Sequence, residues 1–442
     1  MKIQDKIITS KVQRAMKLAG TGVKVGGNYI KYYAKKAVNT PDAKDDLNED
    51  NANDIYDSLS TLKGSALKVA QMLSLDKNIL PPAYTKKFTQ SQYSAPPLSS
   101  PLVIKTFTKY VGKKPTDVFD SFNPKSSAAA SIGQVHKATL AGKDLAVKVQ
   151  YPGVADSIVS DLRIVKPIAN RMFGLNEKEM AQYFDEVEEK LLEETDYKLE
   201  LDRSMRLGEA CKDIEGIYFP TYYPNLSGDR ILTMDWLTGD HLNEFLEKNP
   251  SQEIKNTIAQ NLWNFYDFQL HTLRAIHADP HPGNFFIQED GRIGIIDFGC
   301  VKEVPEEFYN HYFPLLIEDL RAKEDIVEKL LTYLNIVFES DAQEVKEELT
   351  AAFLSMTALL SRPFRNETFT FTKDYIDEIY NLGQEIYKIQ EVKKPSHARG
   401  AKDALYINRT YFALYSMMAE LGATVKTEPT GWDKPLIHLW TS

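Results

Sequence analysis

The 442-residue chain is 43% hydrophobic and 26% charged, and its net charge is −9. Such a composition supports a sizeable folded core and excludes a wholly disordered protein. The two cysteines, Cys211 and Cys300, lie far apart in sequence, which excludes a disulfide framework and a cysteine-rich zinc site. The length allows either several domains or one large bilobal body.

Residues 1–37 carry nine lysines or arginines and one acidic residue, whereas the rest of the chain is acidic. Their apolar residues recur at roughly helical spacing, which is typical of a basic amphipathic helix. Two interpretations remain open: the helix lies on an anionic membrane surface, or it docks on the protein body. A nucleic-acid partner is not expected, because the acidic body would repel phosphates.

The sequence has no stretch of about 18 uncharged apolar residues, so a transmembrane helix is not predicted. The N-terminal residues also lack the continuous apolar segment of a secretion signal. We therefore expect a cytoplasmic protein, and the basic helix would allow peripheral attachment to the inner face of the membrane.

The remaining sequence alternates between loop, helix and strand patterns. An acidic, polar stretch predicts a flexible linker, and two β-like runs around a tight turn predict a hairpin. Apolar residues at helical spacing predict the helices. The predicted elements are the linker 40–54, a helix 54–76, hairpin strands 133–140 and 144–150, a long helix from about Glu177 to Leu207, a strand 231–237, and mostly helices from Leu242, interrupted by short strands around Asp290 and Gly291.

The segment HADPHPGN places Asp279 and Asn284 five residues apart, directly before a predicted strand. A carboxylate and an amide at this spacing can face one phosphate–metal site. Asp279 would accept or orient a proton, and the amide oxygen of Asn284 would bind a hard cation such as Mg²⁺. We interpret His277 as a structural hydrogen-bonding residue and do not predict a zinc site.

Asp297 follows thirteen residues after Asn284, in IIDFG at the end of an apolar strand. A carboxylate there is costly unless it is exposed or paired, and a metal ion would provide that pairing. The order HxD-x4-N followed by DFG is the layout of protein kinases. The competing interpretation is a loop aspartate that caps a turn, and the upstream motif makes it the less favoured one.

Lys148 lies in the apolar run LAVKVQ, where a lysine needs an anion. In kinases a nucleotide phosphate and a helix glutamate supply that anion. Taken alone, Lys148 would be interpreted as an edge-strand lysine that limits aggregation. Together with the downstream motifs, the phosphate role is favoured.

Kinases cover the nucleotide phosphates with a glycine-rich loop, G-x-G-x-x-G-x-V. The same frame in this chain is Ala128-Ala129-Ala130-Ser131-Ile132-Gly133-Gln134-Val135. The third glycine and the valine are present, but the first two glycines are alanines. Each added Cβ keeps the backbone farther from the phosphates. We expect ATP to bind with its γ-phosphate held differently, and the Ser131 hydroxyl could serve as an added donor.

The strings AAASIGQVHKA, KVQYPGV, DPHPGN and DFG together resemble the UbiB/AarF family of atypical kinase-like proteins, over about residues 55–300. The resemblance implies a bilobal α+β protein-kinase-like fold with a small β-rich N-lobe, a large helical C-lobe and an N-terminal helical extension. It also implies that ATP and Mg²⁺ bind, and it links the chain to isoprenoid quinone biosynthesis or lipid homeostasis. Quinone-precursor lipids are the partners that follow from this link.

The resemblance assigns further residues. The family has a KxGQ motif on an extension that covers the active site, and it corresponds here to Lys68-Val69-Ala70-Gln71, with alanine in place of glycine. The family motif E-x-D-Y-x-x-E corresponds to residues 194–200. It implies that Glu200 pairs with Lys148 and that Glu194 contacts Lys68, with Glu193 as a rival for the second contact.

Position alone predicts a hinge between the lobes at 234–237, where backbone groups of Asp235 and Leu237 would meet the adenine edge. The sequence predicts four parts: a basic amphipathic N-terminal helical segment (1–39), a linker with the KxGQ-like helical extension (40–115), a kinase-like N-lobe (116–238) and a helical C-lobe (239–442).

The covering extension and the alanine-rich loop favour ATP hydrolysis coupled to quinone precursors or lipids over ordinary protein phosphorylation. Two alternatives stay open. The chain could be a kinase that phosphorylates a small molecule or a protein, or a nucleotide-dependent scaffold without catalysis.

Overall fold

The structure is a computed structural model. It describes residues 11–37, 43–62, 83–84, 87, 98–130, 132–173, 177–393 and 399–441. The chain forms two compact units. Unit 1 comprises Met1–Asp202 and Thr221–Trp236, and unit 2 comprises Arg203–Pro220 and Leu237–Ser442. The four-part division expected from the sequence stays a prediction.

Unit 1 contains an antiparallel five-stranded sheet with the order β1-β3-β4-β6, in which β2 also pairs with β3. Its strands are β1 (Ser121–Phe122), β2 (Ala128–Ala130), β3 (Gly133–Leu140), β4 (Lys143–Gln150) and β6 (Ile231–Asp235). Its helices are α1 (Lys11–Ala37), α2 (Ala43–Leu62), α3 (Ser100–Val111), α4 (Pro115–Val118), α5 (Val154–Phe173), α6 (Glu177–Glu194) and the first residues of α7 (Tyr197–Ala210).

The predicted hairpin is confirmed as β3 and β4. Ala141 and Gly142 join the two strands, both with positive φ (51° and 78°), as a two-residue turn between right-twisted strands requires. The Ala141 N–H donates to the Asp120 carboxylate at 2.7 Å, so the turn keeps its hydrogen bonds. Val147 and Val149 on β4 are fully buried and anchor the sheet in the core of unit 1.

The acidic segment predicted to be a linker is helical from Ala43, so that prediction was wrong for most of the segment. Asp45 and Asp46 lie in the first turn of α2, where carboxylates stabilise the helix dipole. Buried Asn51 accepts a hydrogen bond from Asn28 of α1 at 3.1 Å. Packing against α1 therefore stabilises a helix that its polar composition alone does not indicate.

The long helix predicted from Glu177 to Leu207 is instead two helices, α6 and α7, with a break at Thr195 and Asp196. The Asp196 carboxylate accepts from the backbone N–H groups of Lys198 and Leu199, both at 3.1 Å, as an N-cap residue does. Glu194 and Glu200 therefore belong to different helices, and a single helical period does not relate them.

Unit 2 is mainly helical around an aromatic core that includes fully buried Phe265, Phe298, Phe313 and Phe371. Its described strands pair as β5-β9-β8, β7-β10 and β11-β12. The strands are β5 (Ile217–Tyr218), β7 (Ala275–His277), β8 (Phe285–Ile287), β9 (Ile293–Ile295), β10 (Val301–Glu303), β11 (Thr368–Thr370) and β12 (Thr424–Lys426).

The helices of unit 2 follow the predicted pattern from Leu242 onward. After the rest of α7 they are α8 (Leu242–Glu247), α9 (Gln252–Phe268), α10 (Glu306–Tyr312), α11 (Glu318–Arg321), α12 (Glu324–Tyr333), α13 (Gln343–Leu360), α14 (Lys373–Lys388), α15 (Gln390–Lys393), α16 (Lys402–Leu421) and α17 (Asp433–Thr441). Across the described ranges of both units, none of the helices combines the length and the apolar character needed to cross a bilayer.

Candidate functional site

Lys148 and Glu200 form a buried ion pair in unit 1. The Lys148 Nζ lies 2.7 Å and 3.0 Å from the two Glu200 carboxylate oxygens. The side chains are only 6% and 1% exposed, and the ammonium also lies 5.1 Å from the centre of the Tyr197 ring. The pairing expected from the sequence is confirmed, while a contact with a nucleotide stays a prediction.

The break between α6 and α7 positions Glu200 for this pair. The Thr195 carbonyl at the break accepts from the Gln150 side chain at 2.9 Å and from Arg230 at 2.5 Å. Gln150 ends β4, two residues after Lys148, so the strand that carries the lysine also holds the start of the helix that carries the glutamate. The two hydrogen bonds to the Thr195 carbonyl therefore hold Lys148 of β4 and Glu200 of α7 next to each other.

The alanine-rich segment forms a strand that pairs antiparallel with the next strand of the chain. Ala128, Ala129 and Ala130 form β2 and pair with Val135, Gln134 and Gly133 of β3, in that order. Val135 also lies opposite Lys148 in the β3–β4 register. Ser131 lies outside the described residues, so its role as a phosphate donor stays a prediction.

Gly133 allows a close approach of β3 to β4 and α7. A Cβ at this position would lie 2.6 Å from the Val149 carbonyl oxygen and 2.9 Å from the Tyr197 hydroxyl. The carbonyl is part of the sheet backbone and cannot move aside without disturbing the β3–β4 pairing. Gly133 is therefore required by packing within unit 1, whatever its role toward a nucleotide.

We expect Gly133→Ala to destabilise unit 1 by roughly 1–3 kcal/mol, because an added methyl group in a packed site forces backbone shifts. Chemical denaturation of the full chain measures the effect. Gly208→Ala is the matched control, since its Cβ would meet Phe219 only at an ordinary 3.5 Å and alanine favours the helix. Equal stability of the two variants would contradict the packing role.

The predicted hinge coincides with a crossing of the chain from unit 1 to unit 2, between Trp236 and Leu237. The Asp235 N–H donates to the Thr221 carbonyl at 2.9 Å. Burial opposes ionisation of Asp235, but hydrogen bonds from Tyr223 and Thr221 outweigh it and lower the pKa of its carboxyl. With its N–H engaged, Asp235 could offer an adenine only its carbonyl, and the adenine contacts of Asp235 and Leu237 stay predictions.

Strand pairing in unit 2 brings Asp279, Asn284 and Asp297 to a common region. The Ile296 N–H donates to the Asn284 carbonyl at 3.1 Å, so Asn284 before β8 and Asp297 after β9 lie at the same end of that hairpin. The Ala278 N–H donates to the Cys300 carbonyl at 2.9 Å, which extends the β7–β10 pairing to the segments beside Asp279 and Asp297.

The Asn284 side chain is held with its oxygen available. Its amide nitrogen donates to the Asp279 carbonyl at 2.9 Å, and the side chain is nearly buried. Because the nitrogen is used, the amide oxygen points away from this contact, as a metal ligand must. The same bond ties the backbone of Asp279 to Asn284, which explains the five-residue spacing.

Asp297 has a left-handed backbone with φ of 64°, which is uncommon for any residue except glycine, asparagine and aspartate. Its carbonyl accepts from the His277 Nε2–H at 2.9 Å, and Tyr266 donates its hydroxyl to His277 Nδ1 at 3.3 Å. The backbone strain is thus held by a buried histidine. The structural hydrogen-bonding role expected for His277 is confirmed.

Burial lowers the pKa of His277 and of His136, which lies in unit 1, although hydrogen bonds to the carbonyls of Asp297 and Asn123 oppose the shift. Both rings are therefore neutral in the folded protein at neutral pH. Below about pH 6.5 these histidines become protonated in the unfolded chain before they do in the folded chain, so the free energy of unfolding falls. Asp267 acts in the opposite direction, because burial raises the pKa of its carboxyl to about 6 in the folded protein. As the pH falls from about 6 toward the pKa of this carboxyl in the unfolded chain, the folded chain takes up the proton first, which favours the folded state.

We expect stability to decline by up to about 1.4 kcal/mol per pH unit for each such histidine below pH 6.5. In His136→Gln the contribution of this one histidine to the slope should disappear. Urea denaturation at a series of pH values measures the slope for wild type and variant. An identical slope in both proteins would show that His136 does not titrate on unfolding.

Lys68 and Gln71 lie outside the described residues, so the regulatory role of this motif and the contact of Lys68 with Glu194 stay predictions. Glu194 ends α6 and is partly buried. Its rival Glu193 forms an ion pair with Lys190 at 2.9 Å. Which of the two glutamates contacts Lys68 stays a prediction.

The described residues contain no cluster of three or more histidine, cysteine, aspartate and glutamate side chains arranged to hold a metal. A magnesium site at Asn284 and Asp297 would therefore need phosphate oxygens and water to complete its coordination. Mg²⁺ commonly binds to one or two carboxylates together with substrate phosphates. The two oxygen donors thus fit a metal that arrives with a nucleotide.

Sequence reasoning missed Arg409, which lies 3.7 Å from the Asp279 carboxylate. It belongs to α16, about 130 residues after the catalytic-loop motif, and no local spacing connects the two. It also missed Gln150, although that glutamine is part of the string KVQYPGV. Gln150 was identifiable only as a second polar residue after Lys148 at the end of β4.

Comparisons with known proteins show the family to which the chain belongs. The ABC1 atypical kinase-like domain matches residues 90–331. Atypical kinase COQ8B, mitochondrial, of Danio rerio is 32% identical over 61% of this chain and 44% of its own length. Protein ACTIVITY OF BC1 COMPLEX KINASE 1, chloroplastic, of Arabidopsis thaliana is 30% identical over 58% of this chain and 38% of its own length. The chain thus spans about half or less of the length of these relatives.

A solved structure of Rv3197 with erythromycin, from Mycobacterium tuberculosis, is also similar. It matches with a TM-score of 0.57 and 26% identity, over 90% of this chain and 98% of that one. The mixed helix-and-sheet, kinase-like fold expected from the sequence is confirmed, as is the resemblance to UbiB/AarF proteins. Since the matched domain covers more than half of the sequence, the chain belongs to the ABC1 atypical kinase-like family.

Proposed function

We propose that the chain is a Mg²⁺-dependent enzyme that binds ATP and transfers or hydrolyses its γ-phosphate. The observation that carries the proposal is the Lys148–Glu200 pair, with both side chains less than a tenth exposed. Burying two charges is costly, and a buried ion pair is weak support for stability alone. A lysine oriented by a helix carboxylate is, in contrast, the arrangement that kinases use on nucleotide phosphates.

In the proposed reaction Lys148 contacts the phosphates, and Asn284 and Asp297 hold Mg²⁺. The metal would neutralise the charge that develops on the phosphate oxygens. Asp279 orients the acceptor hydroxyl or water and takes its proton. The acceptor oxygen forms a bond to the γ-phosphorus, the bond from that phosphorus to the β-phosphate oxygen breaks, and ADP leaves.

We further propose that turnover is coupled to isoprenoid quinone precursors or related lipids. Family membership and the similarity to a mitochondrial COQ8B support this link. A kinase acting on a small molecule or a protein is the alternative, and Asp279 is about one third exposed, which leaves access for such an acceptor.

The test is an assay of the purified full-length chain with MgATP, with and without anionic vesicles and water-soluble quinone-precursor mimics. The proposal predicts phosphate release that these additions stimulate. A phosphorylated product without free phosphate would favour the kinase alternative. Binding of ATP without either product would favour the scaffold.

The N-terminal helix supports a proposal about membranes. One face of α1 packs on the rest of unit 1, where Arg14 forms a buried ion pair with Asp161 of α5 at 2.5 Å. On other parts of its surface, Met16, Val23 and Ile30 recur every seven residues and are 61%, 77% and 74% exposed. Lysines at 17, 24 and 31 follow the same spacing. Docking and attachment to an anionic membrane are therefore compatible, and we propose both.

We expect Val23→Asp combined with Ile30→Asp to weaken binding to phosphatidylglycerol vesicles roughly tenfold, because two apolar contacts are lost and negative charge is added. Vesicle sedimentation measures the bound fraction. Leu439→Asp, at an exposed position of α17 in unit 2, is the control that should leave binding unchanged. Retained binding of the double variant would refute the membrane role of α1.

A further inference from the structure

Arg409 on α16 faces the carboxylate of Asp279. Its Nη2 lies 3.7 Å from Asp279 Oδ1, and the two side chains are 33% and 32% exposed. This separation is too long for a hydrogen bond but within the range of an ion pair. Such a contact attracts the carboxylate toward one orientation without occupying that oxygen as a short hydrogen bond would.

Independent contacts fix the part of α16 that carries Arg409. Asp403, six residues earlier, pairs with Lys302 of β10 at 2.5 Å, and Lys302 also lies 5.6 Å from the Tyr406 ring. Asp403, Tyr406 and Arg409 fall within about 120° of the helix circumference, so one face of α16 presents all three.

This helix face contacts the same strand pair that positions the candidate site. Lys302 pairs with Ile276 in the β10–β7 register, and Asp279 follows β7 by two residues. On the other side of Arg409, the neighbouring Asn408 accepts a hydrogen bond from the Tyr312 hydroxyl. The contacts of Asp403, Tyr406 and Asn408 therefore hold α16 in place, and the guanidinium of Arg409 lies beside Asp279.

We infer that Arg409 is a positioning residue for the proposed phosphoryl transfer, which holds the Asp279 carboxylate toward the acceptor. The inference rests on the proposed function. The Asp279 backbone carbonyl accepts hydrogen bonds from the Asn284 side chain and from the His281 N–H, whereas Arg409 contacts the carboxylate itself. A misplaced catalytic group can lower a rate about a hundredfold, so even a loose ion pair has a measurable effect.

The experiment compares Arg409→Ala and Arg409→Lys in the full chain, with Asp297→Asn as the inactive reference. Arg365→Ala is the matched control, because Arg365 is similarly exposed (36%) and pairs with Glu318 at 3.5 Å, also in unit 2. We expect Arg409→Ala to lower kcat for MgATP turnover roughly tenfold or more with KM within about twofold. Arg409→Lys or added guanidinium should restore part of kcat, and the melting temperature should stay unchanged.

Three results would overturn the inference while leaving the proposed function intact. An unchanged kcat in Arg409→Ala would show that Asp279 needs no such partner. A raised KM at constant kcat would assign Arg409 to nucleotide binding, and a loss that matches a lower melting temperature would make its role structural. If wild type shows no more turnover than Asp297→Asn, the proposed function itself fails, and the positioning role fails with it.

Discussion

Replacing Asp297 by asparagine is expected to lower Mg²⁺-dependent ATP turnover roughly 100- to 1000-fold, because the charged metal ligand is lost. Asparagine is the right substitution for this position. It tolerates the positive φ of 64° that Asp297 adopts and keeps an acceptor oxygen for the Gly299 N–H, which lies 3.4 Å from Oδ1. The backbone should therefore stay in place while the charge disappears.

Phosphate release at saturating MgATP measures the effect. Asp290→Asn is the matched control, since Asp290 lies in the exposed turn before β9 and contacts Arg292 instead of the candidate site. We expect the control to keep wild-type turnover. Full activity of Asp297→Asn, with the Mg²⁺ dependence intact, would remove Asp297 from the metal site.

Breaking the Lys148–Glu200 pair from either side is expected to destabilise unit 1 by about 3–5 kcal/mol, because each single replacement leaves an uncompensated charge in a buried site. Lys148→Met and Glu200→Leu should both show this loss. The double variant should recover much of it, since two apolar side chains of similar size replace the pair. ATP affinity should be lost in Lys148→Met and should not return in the double variant.

Urea denaturation and ATP titration of the same samples separate the two effects. Lys137→Met is the matched control on the same hairpin, because Lys137 pairs with Asp144 at 2.8 Å but both side chains are about half exposed. An exposed pair contributes little, so this variant should lose less than about 1 kcal/mol. A double variant that regains stability and also binds ATP normally would show that the pair has no role toward the nucleotide.

Local patterns in the sequence were sufficient for several parts of this fold. The β3–β4 hairpin follows from alternation and the Ala-Gly turn, whereas the Lys148–Glu200 pair was expected only from the resemblance to the UbiB/AarF family. The break between α6 and α7 was missed because a charged, leucine-containing run reads as one helix. Asp196 followed by Tyr197 was a possible signal, since aspartate is a favoured N-cap residue.

Two other features depend on distant contacts. The acidic segment from Ala43 is a helix whose polar residues find partners in Asn28, Lys24 and Lys35 of α1, and no property of the segment alone reveals these partners. Arg409 reaches Asp279 because α16 packs on β10, an arrangement set by tertiary structure. Contacts between residues more than a hundred positions apart could not be predicted from one sequence.

The most direct test of the central claim is calorimetric titration of the full-length chain with ATP, with and without Mg²⁺. Lys148→Met should weaken binding under both conditions, whereas Asp297→Asn should remove only the added affinity that Mg²⁺ provides. That pattern would show that both residues act on one bound MgATP. Unchanged affinity and stoichiometry in both variants would contradict the claim that these side chains hold the nucleotide and its metal.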